Sequence, residues 1–171
     1  MKNKYNHQKK IVIGFIGTFG PWHGVENLIE AFGKLIKHHN EMADKAMLLM
    51  IGDGPTKSKA MKVVKEYNIS NQTVFTGLVP QKDAPFYLSM CDILVSPTVQ
   101  NPDGSIFFGS PTKLFEYMAM GKAIIASKIA VEYFLSKQSS GTNLRDINSV
   151  GRAVGYAGGQ SETNKRAKIA E

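Results

Sequence analysis

Residues 11–24 read Ile11-Val12-Ile13-Gly14-Phe15-Ile16-Gly17-Thr18-Phe19-Gly20-Pro21-Trp22-His23-Gly24: an apolar run that closes on glycine and opens into a polar, turn-rich loop. Working outward, Leu28, Ile29, Phe32, Leu35 and Ile36 follow at helical spacing, and Met47–Ile51 form a second apolar run. That is a strand, a helix and a strand. The alternation continues with a lysine-rich helix from about Ser58 to Tyr67, a strand Val74–Thr76, a helix from Ala84 to about Met90 and a strand Ile93–Ser96. After a proline- and glycine-bearing loop come a helix from about Thr112 to Met120 and a fifth strand, Ala123–Ser127. Strict alternation implies right-handed crossovers and a parallel, doubly wound α/β sheet of Rossmann-like type. Beyond Ile129 no further strand is readable. The chain divides into a basic extension, residues 1–10, a Rossmann-like domain, 11–129, and a divergent tail, 130–171, expected to be helical or partly disordered.

Composition narrows the function classes. The 171 residues are 43% hydrophobic and 20% charged, enough for one packed core. No apolar run reaches the roughly 18 residues of a membrane span, and residues 1–10 lack the apolar stretch of a secretory signal, so a cytoplasmic protein is expected. Cys91 is the only cysteine, which excludes an intrachain disulfide and favours an inert buried thiol. With four scattered histidines it matches no zinc spacing, so no metal site is expected. The formal charge is +7, and 18 of the 21 basic residues are lysine. Lysine dominance argues against the arginine forks of nucleic-acid recognition and leaves anionic small molecules and anionic membrane surfaces as partners.

In an open parallel sheet, ligands bind beyond the carboxyl ends of the strands. Glycine-bearing loops stand there four times: after the first strand at Gly17–Gly24, after the second at Gly52-Asp53-Gly54-Pro55, after the third at Gly77-Leu78-Val79-Pro80, and in the long loop ending at Gly109-Ser110-Pro111. Either they make turns or their bare amides cradle an anion, phosphate being the commonest. The G-x-x-x-x-G-K-[ST] and G-x-G-x-x-G fingerprints are absent. Pro111, after a serine able to cap, fixes the start of a helix whose free amides face the crevice. Lys113 then lies in the first turn, where the helix dipole disfavours a cation; it is either compensated by a bound phosphate or solvated. Glu116 begins an otherwise buried face, and its oxygens need donors, either backbone amides or the hydroxyls of a ribose.

Taken in order, Gly17-x-x-x-x-x-His23-Gly24 before Leu28-Ile29-x-Ala31-Phe32, Ile51-Gly52-Asp53-Gly54-Pro55, Val74-Phe75-Thr76-Gly77, Cys91-Asp92-Ile93-Leu94-Val95-Ser96-Pro97 and Ser110–Lys122 resemble the donor-binding half of family 4 glycosyltransferases over residues 11–129. The resemblance implies one half, the C-terminal one, of a GT-B architecture. It implies a retaining hexosyltransferase that uses a nucleotide-diphosphate sugar without a cofactor or metal ion. The acceptor would be a glycan or lipid-linked sugar, held by a separate acceptor domain or chain at the inner face of the membrane.

Carried over position by position, the resemblance gives Glu116 the grip on the donor ribose. Gly109, Ser110, Pro111 and Thr112 become the loop and helix start that meet the diphosphate. Gly52, Asp53, Gly54, Thr76, Leu78 and Val79 become the lining of the nucleotide pocket. Gly17, Thr18 and His23 stand in the loop after the first strand, and His23, Lys113 and Glu116 form the catalytic set. Some positions depart from the family. Phe108 stands where its first motif glutamate would be, eight residues before Glu116, and Thr18 and His23 replace the usual arginine and lysine, leaving a positive charge that depends on pH at His23. The chain also begins where an acceptor half should have ended and leaves the family after Ile129, which gives the expectation of a split, truncated or frame-shifted gene.

Overall fold

The computed structural model describes residues 10–101, 103–104, 112–132 and 169–170. Its order is β1 (Ile11–Ile16), α1 (Val25–His38), β2 (Ala46–Ile51), α2 (Lys57–Glu66), β3 (Thr73–Gly77), α3 (Ala84–Ser89), β4 (Ile93–Ser96), α4 (Thr112–Ala119), β5 (Ala123–Ser127) and β6 (Ile169–Ala170). All strand pairs are parallel, in the order β3-β2-β1-β4-β5-β6. This is the doubly wound sheet that the alternation predicts. One element departs from the sequence reading: Ile169 and Ala170 pair with Ala126 and Ser127 in register, where no strand is readable. Two residues are too few to carry a period.

Two apolar layers cover the sheet, and the side-chain alternation of β2 sorts them. Leu48 and Met50 join Phe15, Val25, Ile29, Phe32 and Val64 beneath α1 and α2. Leu49 and Ile51 join Val12, Leu88, Leu94, Leu114, Tyr117 and Ile124 beneath α3 and α4. β2 is buried along its whole length, as a central parallel strand covered on both faces must be. Each fully buried Leu, Ile, Phe or Met contributes roughly 1.5–3 kcal/mol, so the layers hold the frame and leave the loops free for chemistry.

The chain runs outward from β1 to β2 and β3, then crosses to the other side for β4 and β5. The switch point therefore lies between β1 and β4, and a crevice is expected at its carboxyl end. Close backbone approach frames it. A Cβ on Gly24, at φ +63°, would sit 1.9 Å from the Pro97 carbonyl oxygen, so only glycine lets the start of α1 pass the end of β4. Cys91 packs against β1 in the same manner: a Cβ at Gly14 would lie 2.2 Å from its Sγ, and burial pushes the thiol up to about 12. It is the inert thiol expected.

Candidate functional site

The loops after β1, β2 and β3 are stitched to one another by the glycine amides themselves. Gly17 N–H donates to the Ile51 carbonyl at 2.9 Å, Gly52 N–H to Gly77 at 3.0 Å, and Gly54 N–H to the Asp53 carboxylate at 2.8 Å. Phe19 N–H reaches the Asp53 carbonyl, and Thr56 returns both its N–H and its hydroxyl to the Phe19 carbonyl. These donors are spent within the protein. Of the two alternatives open for the glycine loops, the turn-making one holds for Gly17, Gly52 and Gly54: they shape a floor, and a Cβ on Gly52 would meet the Gly17 carbonyl at 2.0 Å. Asp53 is committed as well, since Lys57 in the first turn of α2 and the Gly54 amide hold its carboxyl below the ordinary range. The Thr76 hydroxyl turns back to the Gly77 carbonyl. Leu78 is 81% exposed and Val79 packs on the α3/α4 layer, so the β3 loop offers the crevice mainly an apolar wall.

The charge-bearing residues gather at the switch point. From the first turn of α4, the Lys113 ammonium lies 4.0 Å from the centre of the Phe15 ring, and a Cβ on Gly17 would be 3.2 Å from its Nζ. Lys113 is therefore not the solvated alternative. Its side chain crosses from the α3/α4 layer to a ring of the α1/α2 layer. Burial lowers its pKa to about 7, partly opposed by Glu116 three residues along the same helix. His23 also meets Phe15, in an edge contact with its ring 6.3 Å from the phenyl, and lies 5.6 Å from Trp22. Burial and then the Lys113 charge lower it to about 4, against a hydrogen bond to the Thr18 backbone.

His23 is consequently neutral around pH 7, and the pH-dependent positive charge expected there belongs to Lys113 instead. Glu116 is half-buried, Thr112 opens α4 exposed to solvent, and Thr18 is exposed on the β1 loop. Gly109, Ser110 and Pro111, with Phe108, lie outside the described residues. Among the described residues no cluster of His, Cys, Asp and Glu could hold a metal ion, and no helix is long and apolar enough to cross a membrane.

One residue escapes the sequence reading. Tyr117 passes there for part of an apolar stretch, yet its hydroxyl accepts the Ile16 N–H at 3.2 Å and donates to the Val95 carbonyl at 3.3 Å. It ties α4 to both strands of the switch point. The signal available was its place four residues after Lys113, on the same helix face.

A site of this kind, with a partly desolvated lysine at a helix start and a carboxylate one turn further on, suits a phosphorylated ligand with a polar sugar. The family model described as glycosyl transferases group 1 matches residues 10–155. A glycosyltransferase of Methanocaldococcus jannaschii is 30% identical over 126 residues, 74% of this chain and 30% of its own length. The 2-deoxystreptamine glucosyltransferase of Streptomyces kanamyceticus is 28% identical over 54% of this chain and 23% of its own. The chain thus spans less than a third of these curated relatives.

Among solved structures, WaaG, a glycosyltransferase involved in lipopolysaccharide biosynthesis, superposes with a TM-score of 0.63 over 93% of this chain and 46% of its own, at 15% identity. Anabaena HepE in complex with UDP and glucose gives 0.59 over 77% and 34%, at 20% identity. The C-terminal domain of the Francisella tularensis group 1 protein LpcC gives 0.59 over 75% and 65%, at 21% identity. With its motifs in order, its Rossmann-like sheet and a family match over most of its length, this chain belongs to the group 1 glycosyltransferases and has the fold of the C-terminal domain of a GT-B enzyme.

Proposed function

We propose that this chain is the donor-binding half of a retaining glycosyltransferase and takes a nucleotide-diphosphate sugar at the crevice between β1 and β4. The observation that carries this reading is Lys113, lodged over Phe15 at the switch point with Glu116 one turn further along α4. A diphosphate leaving group must be stabilised as it departs. In this reading the Lys113 charge, the start of α4 and the loop Gly109–Pro111 supply that stabilisation, with no metal or cofactor required. Glu116 accepts the ribose hydroxyls, while His23, neutral near pH 7, offers a hydrogen bond rather than a charge. Leu78, Val79 and Thr76 line the nucleoside side. That HepE holds UDP and glucose on the same fold supports a nucleotide sugar as the ligand class.

The acceptor, a glycan or lipid-linked sugar, would be presented by a separate acceptor half. The excess of lysine suits peripheral contact with the inner face of the cell membrane rather than nucleic acid. Phe108, where the family carries a glutamate, favours a second reading, a nucleotide-binding module without transfer. Glu116→Gln separates ribose recognition from fold. It is expected to weaken UDP binding by about 1–3 kcal/mol, the worth of a charged acceptor made neutral, with an unchanged melting transition. If UDP and its 2′,3′-dideoxyribose analogue bind the unmutated chain equally well, Glu116 has no such role.

A further inference from the structure

The ladder between β1 and β4 stops early. β1 pairs with β2 along all six residues but with β4 only at Ile13↔Ile93 and Gly14↔Leu94. Continuing that register would bring Phe15 beside Val95 and Ile16 beside Ser96. Instead the Tyr117 hydroxyl stands between the strands, accepting the Ile16 N–H and donating to the Val95 carbonyl. A hydroxyl can do both at once, so two strands can part without leaving either backbone group unsatisfied. The ring is fully buried in the α3/α4 layer, and burial raises the phenol's pKa, which keeps the proton it must donate.

Lys113 projects from the same face of α4 one turn earlier. It reaches across the carboxyl ends of the central strands to Phe15, the residue immediately before Ile16. Its Nζ also lies 3.2 Å from where a Cβ on Gly17 would stand, past the last β1–β4 pair at Gly14↔Leu94. Among the described residues, the charged and titratable groups that interact with Lys113 are His23, in edge contact with Phe15, and Glu116 on its own helix.

We propose that Tyr117 is a positioning residue, whose hydroxyl wedges β1 and β4 apart at the switch point and so places Lys113 where the diphosphate of the ligand is met. The ligand named here rests on the function proposed above; the wedge does not. Removal of the hydroxyl lets the strands close toward a direct backbone bond, narrows the crevice and pushes Lys113 off Phe15.

The test compares the unmutated chain, Tyr117→Phe and Leu114→Val, a neighbouring core change on α4 that touches no backbone hydrogen bond. The readouts are UDP affinity by calorimetry and the NMR shift of the Lys113 ε-methylene protons, which the Phe15 ring current moves upfield. In Tyr117→Phe these protons return toward ordinary lysine values and UDP affinity falls about tenfold, the scale of a lost buried hydroxyl. Leu114→Val lowers the melting temperature but moves neither readout. Unchanged Lys113 resonances in a folded Tyr117→Phe overturn the proposal. Failure of the unmutated chain to bind UDP overturns the function reading instead, and the Lys113 resonances still judge the wedge. Should Tyr117→Phe not fold, amide exchange in the unmutated chain decides: strong protection of Ile16 N–H supports the wedge, and exchange at the rate of an open loop overturns it.

Discussion

Lys113 holds its place at a cost. Burial lowers its pKa from 10.5 to about 7, so between those values the unfolded chain carries a proton that the folded chain has released. Stability therefore rises with pH from about 7 to about 10.5, and below 7 the penalty is constant. A bound diphosphate reverses the balance, because its negative charge favours the ammonium form. At pH 8, UDP binding is expected to take up close to one proton, read from calorimetry in buffers of different ionisation enthalpy, and at pH 6 nearly none. Lys113→Met should abolish the uptake, weaken UDP and raise the melting temperature at pH 7. An uptake that persists in that variant would assign the proton to another group. His23, held to about 4, takes no part in this range. The sequence marks both residues as site candidates. It does not show which of them titrates, since desolvation by Phe15 and the neighbouring loop is a property of the assembled crevice.

Among the elements, periodicity gives five strands and four helices with ends shifted by no more than three residues, because each has an apolar run or face and a glycine, proline or polar stop. What periodicity leaves unread are the contacts that need two elements at once. Tyr117 looks apolar until β1 and β4 stand beneath its hydroxyl, and the Gly52 amide looks free until the end of β3 closes over it at the Gly77 carbonyl. β6 lies more than forty residues after its partner in the chain and pairs through only two residues. The contact of α1 with α2 is a further case. A Cβ on Gly33 would lie 2.4 Å from the Tyr67 ring and 2.7 Å from its Cβ. Alanine improves helix propensity by about 1 kcal/mol, and overpacking costs roughly 1–3 kcal/mol or more, so Gly33→Ala is expected to destabilise on balance. Chemical denaturation checks this, with Gly33→Ala/Tyr67→Ala recovering part of the loss. A more stable single variant would show that the helices separate freely.

For the molecule as a whole, sugar transfer requires a surface that holds an acceptor hydroxyl about 3–3.5 Å from the anomeric carbon. Without that surface the donor stays open to water, which weakens every charge interaction on the leaving group. Purified alone, the chain is expected to yield no labelled glycan from radiolabelled nucleotide sugars and a membrane lipid extract. Robust product that disappears in Glu116→Ala would instead show a working single-domain transferase. Whether the β1–β4 crevice binds a diphosphate through Lys113 and the start of α4 is decided by titrating the chain with UDP and UMP at pH 6.5. UDP is expected to bind tighter by about tenfold or more, since a second phosphate adds charge-assisted contacts, and the difference is expected to vanish in Lys113→Met. Equal affinities for UDP and UMP in the unmutated chain would contradict it.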